Sequence, residues 1–161
     1  MEKKYMIIIV ILIVALGLFA TKFYIYNRET IQSTSFEIPK GYTSKVVNSS
    51  IELTNKTNKM EINYYDPNKS GNVDNAISSM KKNYKNATFN ESSLDVNGKK
   101  VKTTTMTMKT GNNSSNVEVR HWFVSGNKVF NIKSDDYSKE SNSVAAKIID
   151  SAHTFPLGFL Q

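Results

Sequence analysis

The chain has 161 residues, 21 Lys and Arg against 14 Asp and Glu, a net charge of +7 and no cysteine. That length allows one modest domain behind a leader. The missing cysteines exclude disulfide staples, thiolate metal sites and a lipid-modified cysteine anchor, and seven glycines are too few and too scattered for a phosphate-cradling loop.

The first element is apolar. Met6 to Ala20 reads MIIIVILIVALGLFA, and the uncharged run from Tyr5 to Thr21 would make about 26 Å of helix. A hydrocarbon core is about 30 Å thick. Lys22 can snorkel, and Phe23, Tyr24 and Tyr26 suit the headgroup level, so the run predicts a transmembrane signal-anchor over residues 1–26. It would touch the lipid bilayer through residues 6–26. Lys3 and Lys4 would keep the short N-terminus cytoplasmic, giving a single-pass protein of the cell membrane with an extracytoplasmic C-terminal domain. A cleaved signal peptide is the rival, because Ala15-Leu16-Gly17 has small residues at cleavage spacing. A pilin-like leader would want a glycine before the apolar run.

Residues 27–34 (NRETIQST) are polar and predict a short stalk, with one domain over 35–161. Phe36 and Ile38 alternate with Glu37 up to the turn Pro39-Lys40-Gly41. Ile51 and Leu53, then Met60, Ile62 and Tyr64, alternate with polar residues around a loop at 54–58. These predict antiparallel strands with one buried face. Val73, Ile77, Met80 and Tyr84 follow the helical period, with Asn72 as N-cap. Leu94 and Val96 lead into Asn97-Gly98, a strong hairpin signal. Strands follow at 101–110, 117–124 and 128–133, the last two joined by Ser125-Gly126-Asn127. A helix over about 138–152 carries Val144, Ile148, Ile149 and Ala152 as its apolar stripe. The predicted fold class is α+β: an antiparallel β-sheet flanked by helices, preceded by one N-terminal transmembrane helix.

This order resembles that of PsbP-like domains. The resemblance rests on Phe36-Glu37-Ile38-Pro39-Lys40-Gly41-Tyr42, the ladder Ile62-Asn63-Tyr64-Tyr65, the helix after it and the Val96-Asn97-Gly98 turn. The hairpin from Trp122 to Phe130 and the closing Ile148-Ile149-Asp150-Ser151 complete it. It covers about residues 35–155 and implies a sheet flanked by helices in a module for binding or assembly. It carries over no active-site residues. The anchor with an Asn-rich exterior is also similar to small surface proteins of anaerobic archaea.

Candidate sites are sparse. Asp66, Asn68, Ser70 and Asp74 place oxygens as a calcium loop does, but Ile77 stands where the bidentate Glu belongs. A strand-to-helix turn is the simpler reading, so no metal and no cofactor are assigned. His121 and His153 lack the partners of a zinc site and read as core or surface residues. No nucleophile, base and orienting group come together in the sequence. Asn48, Asn55, Asn68, Asn86, Asn90, Asn112 and Asn113 head N-x-[ST] sequons, candidate glycosylation sites in an exported domain; an AT-rich genome would enrich Asn equally. Lys81, Lys82 and Lys85, and Lys99, Lys100 and Lys102, read as solvated faces, and no nucleic-acid-binding motif is present. Both faces of the Trp122 strand are bulky, which predicts a central strand. Trp122, Phe155, Leu157 and Phe159 are the candidate interaction surface. The expected function is a membrane-anchored extracytoplasmic, non-catalytic binding or assembly module with a membrane or envelope protein partner. The alternatives are an envelope-acting hydrolase and a small-ligand or calcium-binding domain.

Overall fold

The computed structural model describes residues 8–17, 27–56, 58–66, 68, 71–110 and 114–155. Seven strands form one antiparallel sheet: β3 (Thr43–Val47), β4 (Ser50–Thr54), β5 (Lys59–Tyr65), β6 (Ala87–Val96), β7 (Lys99–Thr110), β8 (Ser114–Ser125) and β9 (Lys128–Ser134). Their order is β3-β4-β5-β9-β8-β7-β6. A small second sheet, β1-β2-β10, joins β1 (Arg28–Ile31) and β2 (Thr34–Glu37) to β10 (His153–Thr154). Helix α1 (Val73–Asn83) lies on one face of the large sheet and α2 (Lys139–Ser151) on the other.

Alternation along β8 explains the layering. Phe123 points into the larger core with Ile148 and Ile149 of α2, while its neighbour Trp122 points into a smaller core with Ala76, Ile77 and Met80 of α1. Phe36 of β2 closes the larger core, edge-on to Phe130 at 5.2 Å and to Phe123 at 6.5 Å. Both helices start where expected. The Asn72 side chain accepts the Asn75 N–H, and the Ser138 hydroxyl accepts the Ser141 N–H. The Asn97-Gly98 turn holds both residues at positive φ, 50° and 83°, as a two-residue type I′ hairpin needs.

Residues 27–34, expected as a stalk, contain β1 and the start of β2. The turn between those strands places Gln32 and Ser33 at φ 50° and 58° without a glycine, so the usual hairpin signal is missing. The small sheet ties residues 28–34 to residues 151–154. Arg28 Nη2 donates to the Ser151 carbonyl at 2.9 Å, and the Thr34 and Ser125 hydroxyls both meet Thr154 Oγ1. Gly126, at φ 62°, lies against that threonine, where an added Cβ would meet Thr154 Cγ2 at 3.0 Å.

The expected membrane anchor is corrected. Among the described residues no helix is long and apolar enough to cross a membrane. Residues 8–17 are helical. The transmembrane helix of the fold class, the bilayer contact through residues 6–26, and the single-pass topology with a cytoplasmic N-terminus and extracytoplasmic domain are withdrawn with it. Residues 1–7 and 18–26 lie outside the described residues.

One cross-element contact should dominate the stability of α2. Lys99 Nζ donates to the carbonyls of Ile149, Asp150 and Ala152 at 2.7 to 2.8 Å, satisfying the orphan acceptors of the helix C-terminus. Lys99→Met keeps the stem and removes the donors. Urea denaturation should show a loss of about 2 kcal/mol with an unchanged slope.

Candidate functional site

Register across three strands builds a groove. His121, Thr103 and Ser92 are directly paired across β8, β7 and β6, so their side chains form one row facing α2. Leu94 and Val96 continue that face along β6. Asn142, Ala146 and Ile149, spaced i, i+4 and i+7, supply the opposite wall from α2. The space between is about 210 Å³, with Tyr137, 61% exposed, at its mouth. Its walls are largely apolar, with a short polar row set into them.

His121 is the chemical centre of that row and is buried. Burial pushes its pKa below the ordinary 6.5, and the hydrogen bond to Asn142 only partly opposes this. Nε2 lies 3.1 Å from Asn142 Oδ1, an acceptor, so Nε2 carries the proton. Nδ1 then accepts the Thr103 hydroxyl at 2.9 Å. The neutral imidazole is fully satisfied in one tautomer.

Hydroxyl, imidazole and amide in sequence have the connectivity of a nucleophile, base and orienting group. Two features work against acyl transfer. The orienting group is an amide without charge to stabilise an imidazolium. Thr103 also lies within an interior strand, where backbone N–H groups are spent on the ladders to β6 and β8, so they offer no oxyanion hole.

The other sequence candidates fall elsewhere. Trp122 is fully buried under α1, its Nε1 donating to Thr104 Oγ1 at 3.0 Å, and presents nothing to a partner. Phe155 is half exposed and meets the exposed His153 ring at 5.0 Å. Leu157 and Phe159 lie outside the described residues. Asp66 Oδ1 accepts the Asn68 N–H, and Asp74 pairs with Lys102, so both carboxylates have protein partners; Ser70 lies outside the described residues. Among the described residues no group of three or more His, Asp or Glu side chains could hold a metal ion. Asn48, Asn68, Asn86 and Asn90 are exposed, Asn55 is half-buried, and Asn112 and Asn113 lie outside the described residues. Lys81 pairs with Glu91. On the α1 face Arg120 bonds Glu118 at 2.5 Å and Tyr65 at 3.1 Å, while Lys133 reaches Glu118 at 3.4 Å. In that network Glu118 meets both cations, and the Tyr65 hydroxyl accepts a further Arg120 N–H. A wider cleft of about 730 Å³ beside α2 mixes Arg28, Lys40 and Lys147 with Glu37, Glu140 and Asp150, so it presents no single charge or apolar wall.

Sequence reasoning missed Ser92, Thr103 and Asn142. The 142/146/149 spacing marks one face of the last helix, but only strand register brings His121 and Thr103 to it.

No family model matches the chain, and no curated protein matches it. Solved structures do. The solution structure of cyanobacterial PsbP (CyanoP) from Synechocystis sp. PCC 6803 matches with a TM-score of 0.54 and 13% identity, over 80% of this chain and 92% of that one. A crystal structure from Bacteroides thetaiotaomicron VPI-5482 matches with a TM-score of 0.54 and 14% identity, over 78% of this chain. The match spans about half of that longer protein, 46% of its length. The chain therefore has a PsbP-like fold. At these identities the likeness concerns the fold alone.

The buried imidazole has a signature in pH. Between its lowered folded pKa and 6.5, the unfolded chain binds a proton that the folded chain refuses. Stability should therefore fall as pH drops through about 6.5 and stop responding to this group below its folded pKa. Urea midpoints from pH 7.5 to 5.5 should decline in the parent and decline less steeply in His121→Gln.

Proposed function

We propose that the chain is a non-catalytic binding or assembly module and that its ligand enters the groove between β6, β7 and α2. The observation that carries this reading is the groove's composition: apolar walls around one short polar row whose central imidazole is neutral and already bonded on both nitrogens. Such a site orients a guest and does not transform it. Ser92 and Tyr137 make no side-chain hydrogen bond among the described residues, so both hydroxyls are available to a guest. The PsbP-like fold supports the same class, as a scaffold known here by shape only. The hydrolase alternative gains nothing from a groove without oxyanion donors, and the calcium alternative gains nothing from carboxylates already engaged.

The groove's size and lining suit one apolar amino-acid side chain with an adjoining amide. Titrating the 15N-labelled chain with N-acetyl-leucinamide and N-acetyl-phenylalaninamide tests this. Amide shifts should concentrate at Ser92, Thr103, His121 and Ala146. Ala146→Phe, which fills the groove from α2, should weaken the response at least tenfold. No shift in this set at millimolar probe would overturn the reading.

A further inference from the structure

A second concavity lies on the α1 side of the sheet, away from the groove, where α1 ends. Its volume is about 440 Å³. Residues 82–87, running from the last turn of α1 into β6, form one wall, and residues 108–110 at the end of β7 form the other. We infer that this pocket binds a free oligophosphate, a compact anion with several adjoining phosphate groups. The inference is independent of the groove reading.

Three observations carry it. Lys82, Lys85 and Lys109 line the pocket from α1, the turn after it and β7, and no acidic residue lines it. None of the three lysines has an ion-pair or hydrogen-bond partner among the described residues. Lys81, Lys102, Lys133 and Lys99 differ in this: the first three meet Glu91, Asp74 and Glu118, and the last meets the carbonyls that end α2. The turn adds neutral donors. The Ala87 N–H bonds the Tyr84 carbonyl, while the N–H groups of Lys85 and Asn86 between them donate to no backbone acceptor. Consecutive free N–H groups in a turn suit an anion. The side-chain amides of Asn83 and Asn86, on the same rim, are also unpartnered among the described residues.

Charge selects the ligand. Three ammonium groups around one concavity repel one another, and an anion of two or more charges relieves all of them at once. A carboxylate brings one charge. Adjoining phosphates bring several in a small volume, with oxygens for both lysine and N–H donors. A concave site suits a free ion better than a bilayer, whose headgroups lie in a plane. In the sequence Lys82 and Lys85 read as solvated; the fold adds Lys109 beside them.

The probe is inorganic tripolyphosphate, titrated into the full chain by calorimetry and by amide shifts at physiological ionic strength. Shifts should concentrate at residues 82–87 and 108–110, and sulfate should bind at least tenfold more weakly. Lys82→Gln, Lys85→Gln and Lys109→Gln should each weaken tripolyphosphate at least threefold, and together at least thirtyfold. Lys40→Gln, Lys45→Gln and Lys139→Gln together remove the same charge from other exposed positions. Charges beyond about 8 Å are largely screened at this salt, so that variant should lose less than threefold. Trp122 emission and the urea midpoint check that both triple variants fold. Equal losses in the two would make the effect one of net charge and overturn the proposal. Equal affinity for sulfate, or no shift at millimolar probe, would also overturn it. Phosphatidylglycerol vesicles present the other source of phosphate. Flotation of the parent that is lost in the Lys82, Lys85 and Lys109 variant, without tripolyphosphate binding, would assign the lysines to a bilayer surface and overturn the inference.

Discussion

Everything in this fold depends on β8 being buried on both faces. Trp122 and Phe123 are consecutive and both fully inaccessible, so alternation forces two separate cores. A single helical layer could not cover both. The chain answers with α1 inserted between β5 and β6 and α2 after β9, each carrying an apolar stripe sized to its side. The larger core, under α2, also needs the small sheet, because Phe36 supplies the edge-on ring between Phe123 and Phe130. Arg28, Thr34, Ser125 and Thr154 hold that small sheet in place.

The same two-sided burial accounts for where polar chemistry sits. Inward positions that carry polar groups mostly find partners, since an unsatisfied buried group costs about 1–3 kcal/mol; Asn131 Nδ2 is an exception. On the α1 face this gives the Glu118, Arg120, Lys133 and Tyr65 network. Burial works against the Arg120 charge, but the hydrogen bond and charge of Glu118 outweigh it and raise its pKa. On the α2 face it gives Thr103, His121 and Asn142. The two solutions differ in kind. The first neutralises charge with charge. The second keeps the titratable group uncharged, which leaves an apolar-walled space beside it.

Much of this was legible in the sequence, and the parts that were not share a cause. Local signals held: the period of Val73, Ile77 and Met80, the cap at Asn72, the start of the last helix near Ser138, the Asn97-Gly98 turn. Bulk on both sides of Trp122 correctly announced a covered strand, and that same burial removes Trp122 from any interaction surface. The β1–β2 hairpin was invisible because Gln32 and Ser33 occupy positions where glycine or asparagine is the usual sign. The apolar run near the N-terminus predicted a span, and among the described residues no helix is long and apolar enough to be one. The groove was unreadable for a different reason. Its row joins residues 92, 103, 121 and 142, and the register that aligns them is a property of pairing, which no local window contains.

The architecture also constrains what kind of function it can support. Interior strands of a fully covered sheet have no backbone donors or acceptors to spare, so neither oxyanion binding nor main-chain recognition can occur at the centre of this sheet. Within the large sheet, among the described residues, unpaired strand edges lie at β3 and β6. β3 is five residues long and carries Lys45 outward, a short and charged edge that resists pairing. β6 is twice that length and lines the groove through Ser92, Leu94 and Val96. Unpaired main-chain groups and the side chains that line the groove thus lie on the same strand.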